Sequence, residues 1–266
     1  MRPTIPELLA AFGEEELSVQ ALFRFCYLPA GRLSFLKDLA VVEEWGAKDF
    51  ALLKYLAVHL HLAIAQGHFV WNGNQLVAPA GELTTPSGAP IYVGISPNAQ
   101  PDGNPYVVNW VGERPSTPEL PAPVDLGVWP ELDPGGEIVV ACEFENPERR
   151  LHLGKLDEVP VVARMSAIAG AISWSLRRGL AAQQLHGGGR GWFVPVYLSS
   201  RADLLGAPDF VAPLMAQGSR YIVRSLVSAQ TAYAPARAVV ERCELLPGWL
   251  LGAWEDALDE SAEAEE

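Results

Sequence analysis

The stretch from Lys48 to Gln66 constrains the fold more than any other part of this chain. Leu53, Leu56, Ala57, Leu60 and Ile64 recur at steps of three and four residues, and Gly67 follows as a stop. A helix with one apolar stripe has to be laid against other elements. Directly after it, His68 to Trp71 and Gln75 to Ala78 read as short strands joined across Asn72-Gly73, a dipeptide suited to the positive φ angles of a type I′ turn. Ile5 to Ala11, Leu17 to Phe25 and Leu33 to Trp45 read as helices ahead of it. The first 78 residues therefore have the helix, helix, hairpin order of a winged helix.

Prolines and glycines dominate from Pro79 to Gly136 and punctuate two expected strands, Ile91 to Ile95 and Tyr106 to Val111. Glu137 to Phe144 reads as a buried strand. Asp157, Glu158 and Pro160 suit a helix start, and the helix is expected to run to about Gln184. Trp192 to Leu198 reads as a strand that Pro195 places at an edge or bulge. Asp209 to Met215 is too short to assign. Tyr221 to Val227 reads as a strand, and Ala229 to Cys243 as a helix interrupted or started near Pro235. No repeat is visible in the sequence. The expected class is α+β: a winged-helix-like helical part, residues 1–78, packed on a mixed-sheet body, residues 79–254, followed by an acidic tail, residues 255–266, expected to be disordered.

Hydrophobic residues make up 49% of the 266 and charged ones 19%, enough apolar surface for a core. The formal charge is −13, but seven acids lie in the last twelve residues, and the other 25 acids against 19 bases leave the body at −6. An acidic body argues against binding duplex DNA, where clustered Lys and Arg must displace counterions. Cys26, Cys142 and Cys243 are odd in number and in no CxxC spacing, so neither a disulfide framework nor a thiolate zinc site is indicated, and a reducing cytoplasm fits best. The first twelve residues hold no apolar core of signal-peptide length. The least charged stretch, Val159 to Leu176, carries Arg164 and many small residues, which argues against a membrane span.

That arginine is the leading site candidate. It is the only charged residue between Glu158 and Arg177. At 100° per residue Arg164, Ser175 and Arg178 lie within about 40° of one line, with the small Ala171 between them. A buried guanidinium must be paired, either by an internal carboxylate or by an anionic ligand such as phosphate. Tyr233 and Arg237 share a helix face four residues apart, near Arg220 and Arg224. Trp110 beside Asn109 could stack on a base while Asn109 reads its edge, with Tyr92 a second stacking candidate.

Other motifs read as structural. His186-Gly187-Gly188-Gly189-Arg190-Gly191 lacks a nucleophile elbow, a P-loop lysine and a dinucleotide fingerprint, so it reads first as a flexible connection ahead of a strand and second as an anion nest. His59 and His61 stand two apart on a helix and point to roughly opposite sides, which disfavours a shared metal ion. No metal or cofactor is expected.

Several strings in order, from about Leu22 to Leu250, resemble a bacterial family known as domain of unknown function 3825. They are Phe23-Arg24-Phe25, Leu39-Ala40, Glu43-Glu44-Trp45, Leu52 to Leu56, and Gly81 with Gly88, Ile91 and Tyr92. Val194-Pro195-x-Tyr197, Ala232-Tyr233 with Ala236-Arg237, and Trp249-Leu250 complete the series. The chain departs from that pattern at Ala80, at Glu82 ahead of Leu83, and at Gly191-Trp192. The resemblance implies nucleotide or RNA business through the cold-shock and other RNA-associated modules joined to such proteins.

Three readings follow. The first is a protein binding a nucleotide or the end of a short single-stranded RNA, with Arg164, Arg178 and Arg237 on phosphate and Trp110, Tyr233 or Tyr92 on the base. The second is a hydrolase of a phosphate-containing or glycosidic substrate with Glu43 or Glu82 as base, its catalytic residues otherwise unassigned. The third is a winged-helix-like interaction module that pairs with a protein or with a second copy of itself.

Overall fold

The computed structural model describes residues 2–13, 17–43, 45–100, 103–117, 119–142, 157–186, 189–200 and 206–254. The fold is α+β, and the chain forms two compact units. The first holds Met1–Gly127 and takes back Arg237–Cys243; the second holds Val128–Ala236 and the residues from Glu244. The boundary expected after residue 78 falls inside a strand, because the second arm of the hairpin runs on to Thr84 and pairs with the next strand. The expected acidic tail lies outside the described residues.

In the first unit three helices, α1 (Ile5–Ala10), α2 (Val19–Phe25) and α3 (Ala30–Leu39), precede α4 (Phe50–Ala65). Glu7 closes a capping box on Thr4 at α1, and Ser18 accepts from the Ala21 amide at α2. The third helix sits several residues earlier than the apolar spacing of Leu33 to Trp45 predicts, since Pro29 starts it and the chain is extended by Ala40. The long helix starts from two consecutive left-handed residues, Lys48 (φ 55°) and Asp49 (φ 58°), with Asp49 held by Lys37 at 2.6 Å. Gly67 at φ 71° closes its far end.

Strands β1 (Cys26–Tyr27), β2 (Val70–Asn72), β3 (Gln75–Thr84), β4 (Pro90–Pro97) and β5 (Tyr106–Gly112) form a sheet of order β1-β5-β4-β3-β2, antiparallel except for β1 beside β5. The hairpin expected from the sequence is therefore one edge of a five-stranded sheet, not the wing of a winged helix. Its turn also differs. Asn72 pairs with Gln75, so the two loop residues are Gly73 and Asn74; only Gly73 has positive φ (60°), the pattern of a II′ turn. Leu76, Ala78, Ala80, Ile91, Val93, Ile95 and Val108 are buried, and α4 packs against β3.

The second unit repeats this plan. Strand β6 (Glu137–Val140) is followed by α5 (Val161–Leu176) and the meander β7 (Ala182–His186), β8 (Gly189–Val196), β9 (Phe210–Gln217) and β10 (Arg220–Val223), whose last strand returns parallel to β6. The order β6-β10-β9-β8-β7 matches that of the first unit strand for strand, and α4 and α5 are both 16 residues long. Pro79 in β3 and Pro195 in β8 occupy the same place, two residues past the partner of the preceding strand's first residue. Pro195 thus stands beyond the end of β7, where β8 has only β9 beside it and no ladder bond is lost. The duplicated topology has no visible counterpart in the sequence because what is repeated is the pattern of buried positions. Here α5 packs on β6 and β8, burying Ile168, Ala171, Ile172 and Leu176 against Val194, Val196, Ala212, Leu214 and Val223. After β10 come α6 (Ala229–Arg237) and α7 (Gly248–Leu251). No helix among the described residues is long and apolar enough to cross a membrane.

Candidate functional site

The arginines expected to meet phosphate are answered from within the chain. The Arg164 side chain turns back over the start of its own helix, donating to the Val159 carbonyl (2.7 Å) and the Asp157 carbonyl (2.9 Å), with the Asp157 carboxylate 3.9 Å away. It serves the segment ahead of α5 as an internal cap. That helix is buried along one side only, with Val162, Ala163, Ser166 and Gly170 exposed on the other. Arg178 lies past the helix end, exposed, stacked at 3.9 Å over Trp174. Ser175 points elsewhere, donating to the Pro195 carbonyl at 2.7 Å, so the three residues on one helical line do not converge. Arg220 pairs with Glu137, its register partner, at 2.7 Å.

Among the described residues Arg237 is the most enclosed cation. Its side chain is 1% exposed and grips Glu43 with two hydrogen bonds, Nε to Oε2 at 2.5 Å and Nη2 to Oε1 at 2.7 Å, while Nη1 donates to the Val240 carbonyl at 2.9 Å. The rings of Tyr55 and Trp45 face the guanidinium at 4.8 and 5.2 Å. All five residues belong to the first unit. The guanidinium therefore closes a buried polar cluster and is not open to a ligand, and Glu43 is not free to act as a base. Tyr233, expected to share a ligand-facing surface with Arg237, is buried in the second unit at 2% exposure.

Tyr55 extends the cluster. Its hydroxyl accepts from the Glu82 amide at 2.6 Å and its ring stacks on His59 at 4.2 Å. His59 donates Nε2–H to the Ala238 carbonyl at 3.0 Å, and Nδ1 is buried without a partner. His61 packs edge-on against Phe12. Among the described residues no three His, Cys, Asp or Glu stand together as a metal site.

Burial, assisted by the Arg237 charge, holds the His59 imidazole down to about 4, against the opposing pull of the Ala238 carbonyl. The unfolded chain takes up a proton near pH 6.5 that the folded chain refuses until about pH 4. Stability from this residue is complete above pH 6.5 and is lost as pH falls toward 4, by about 3 kcal/mol. Urea denaturation at pH 7.5 and 5 should accordingly show the stability gap between the wild type and His59→Gln shrinking at the lower pH; a gap independent of pH contradicts this.

One face of the first unit's sheet has a different character. Pro79, Tyr92 and Gly112 are register partners across β3, β4 and β5, as are Val77, Gly94 and Trp110. The register slips after Gly94, leaving Asn109 as the extra residue of a bulge. Its amide is engaged at both ends, accepting from Gln75 Nε2 at 2.7 Å and donating to Ser96 Oγ at 2.8 Å. Half-buried Trp110 lies along the sheet over Gly112, where a Cβ would stand 2.7 Å from the indole. At Gly94 a Cβ would stand 2.6 Å from the Gln75 amide and 3.1 Å from the Trp110 Cβ. Gly112 makes room for the indole and Gly94 for the Gln75 amide, so that the ring has a polar triad at one end and Tyr92 at the other.

Beyond Tyr92 a cavity of about 120 Å³ is lined by Pro79, Leu83, Glu82, Pro121 and Pro123 among others. Burial, aided by Glu241, raises the Glu82 carboxyl above its ordinary range. Of the sequence candidates, then, Tyr92, Asn109 and Trp110 share one surface, and Arg164, Arg178, Arg237 and Tyr233 do not join it. Gln75, Gly94 and Gly112 are not among the sequence candidates; a glycine two residues after an aromatic inside a strand pattern, as in Tyr92-Val93-Gly94 and Trp110-Val111-Gly112, is the available signal.

His186 and Gly189 are paired at the end of the β7–β8 hairpin, so the glycine string joins two strands; Gly187 and Gly188 lie outside the described residues. Arg190 sits 5.6 Å over Trp129. Lys54, a base on α4, donates to the Leu17 carbonyl at 2.5 Å. No family model, no curated protein and no solved structure matches this chain.

Proposed function

We propose that the protein binds the base of a nucleotide, or of a short single-stranded RNA end, on the Trp110 face of its first unit. The observation that carries this reading is the indole laid over Gly112, a position where any side chain would push the ring away. A flat, half-buried tryptophan with amides at its edge offers a base one π-face to stack on. Gln75, Asn109 and Ser96 hold the bulge that positions the ring. The reading differs from phosphate-centred recognition, because Arg164 and Arg237 are engaged internally. An odd number of cysteines in no CxxC spacing fits a reducing, cytoplasmic setting.

The test is anisotropy of a labelled four-nucleotide RNA, with adenosine monophosphate as competitor. Stacking on one aromatic is worth about 1–3 kcal/mol, so Trp110→Ala should weaken binding roughly 5- to 150-fold, and Gly112→Ala should weaken it as well. Affinity should change little between 50 and 200 mM salt, since few phosphate charges are neutralised. Equal binding by wild type and Trp110→Ala, or a steep salt dependence, defeats the proposal.

A further inference from the structure

The same sheet face carries a segment that forms no strand. Glu119–Gly127 crosses the Tyr92 end, with Pro121 and Pro123 forming the far wall of the cavity against Pro79 and Tyr92. Tyr92 is the register partner of Gly112, over which the Trp110 indole lies, so cavity and indole are neighbours on one face. Prolines have no N–H to donate, and the segment joins no β-ladder.

Side chains just past the end of α4 hold it. The Gln66 amide grips both backbone groups of Asp125, donating to its carbonyl at 2.7 Å and accepting from its N–H at 2.9 Å. His68 Nδ1 donates to the Pro123 carbonyl at 2.6 Å. Pro121 and Val124 are buried beneath, while Glu119, Leu120, Ala122, Pro123 and Asp125 are exposed. A segment that joins no β-ladder and is held through exposed hydrogen bonds from Gln66 and His68 sits toward the low-stability end of a fold.

We propose that Glu119–Gly127 is a removable cover on the binding face, and that a ligand stacked on Trp110 reaches full contact with Tyr92 only after the cover lifts from Gln66 and His68. This rests on the Trp110 reading. The apparent affinity is then lowered by the fraction of molecules that are covered, and loosening the cover raises it.

The experiment uses the full chain, wild type and the double variant Gln66→Ala/His68→Ala, with Val124→Ala as a second way of loosening the segment. Limited proteolysis with an acid-specific protease, read by mass spectrometry at Glu119 and Asp125, follows the cover without any ligand. Anisotropy of the four-nucleotide RNA follows binding. The expected result is cleavage in the segment several-fold faster in the loosened variants and affinity roughly 5- to 10-fold higher, with saturating adenosine monophosphate speeding cleavage of the wild type. Faster cleavage with unchanged affinity overturns the cover while leaving the Trp110 reading standing, as does cleavage that loosening leaves unchanged. Absence of binding in every variant, whatever the cleavage, defeats the Trp110 reading and the cover with it.

Discussion

Arg237→Ala is expected to lower the unfolding free energy by about 3–5 kcal/mol, the cost of leaving a buried charge without its partner. The side chains of Arg237 and Glu43 are 1% and 5% exposed, and the two bonds between them run at 2.5 and 2.7 Å. Removing the guanidinium strands a carboxylate that has no water to turn to and empties the space between Trp45 and Tyr55. Lysine should not rescue it, because one ammonium cannot reproduce the forked contact to Glu43 together with the bond to the Val240 carbonyl. Glu43→Leu combined with Arg237→Met should recover most of the loss, since an apolar pair of similar volume avoids the desolvation of both charges. Urea midpoints at pH 7 with an unchanged denaturant slope provide the measurement. A loss below 1 kcal/mol for Arg237→Ala would mean the pair is open to solvent and free to meet a ligand.

Gly81→Ala should cost about 2–5 kcal/mol, combining the strain of a left-handed alanine with overpacking. Gly81 has φ 67°, and a Cβ there would stand 2.5 Å from the Tyr55 ring and hydroxyl and 2.7 Å from the His59 ring. Tyr55 cannot withdraw without losing the Glu82 amide. Gly218→Ala separates the two contributions: Gly218 has φ 62° with nothing within 4 Å of the added carbon, so only the backbone strain, about 1–2 kcal/mol, applies. Thermal or urea unfolding of the two variants should differ clearly; equal losses would show that Gly81 does not press on α4.

Local pattern was legible where a single element could bury itself. The 3.6-residue spacing from Leu53 to Ile64 found α4, and the apolar runs at Ile91 and Tyr106 found β4 and β5. The helix expected to reach Gln184 stops at Leu176, because Gly179 at φ 67° turns the chain into β7, whose Gln183 and Gln184 carry no strand propensity of their own. Arg164 looked ligand-facing because composition cannot show a side chain folding back to carbonyls five and seven residues earlier. Arg237 and Glu43 are 194 residues apart, so no spacing announces their pairing. Asn109 and Trp110 were readable as a pair of residue types, whereas the bulge and the two glycines that aim them are properties of strand register.

Amide chemical-shift mapping with adenosine monophosphate tests the central claim most directly. Stacking on the sheet face predicts that Gly94, Asn109, Gly112 and the Trp110 indole N–H move together and saturate with one affinity, while Arg237 and its neighbours Ala238 and Val240 stay still. Shifts centred on Arg164 or Arg237, or none at millimolar ligand, would contradict it.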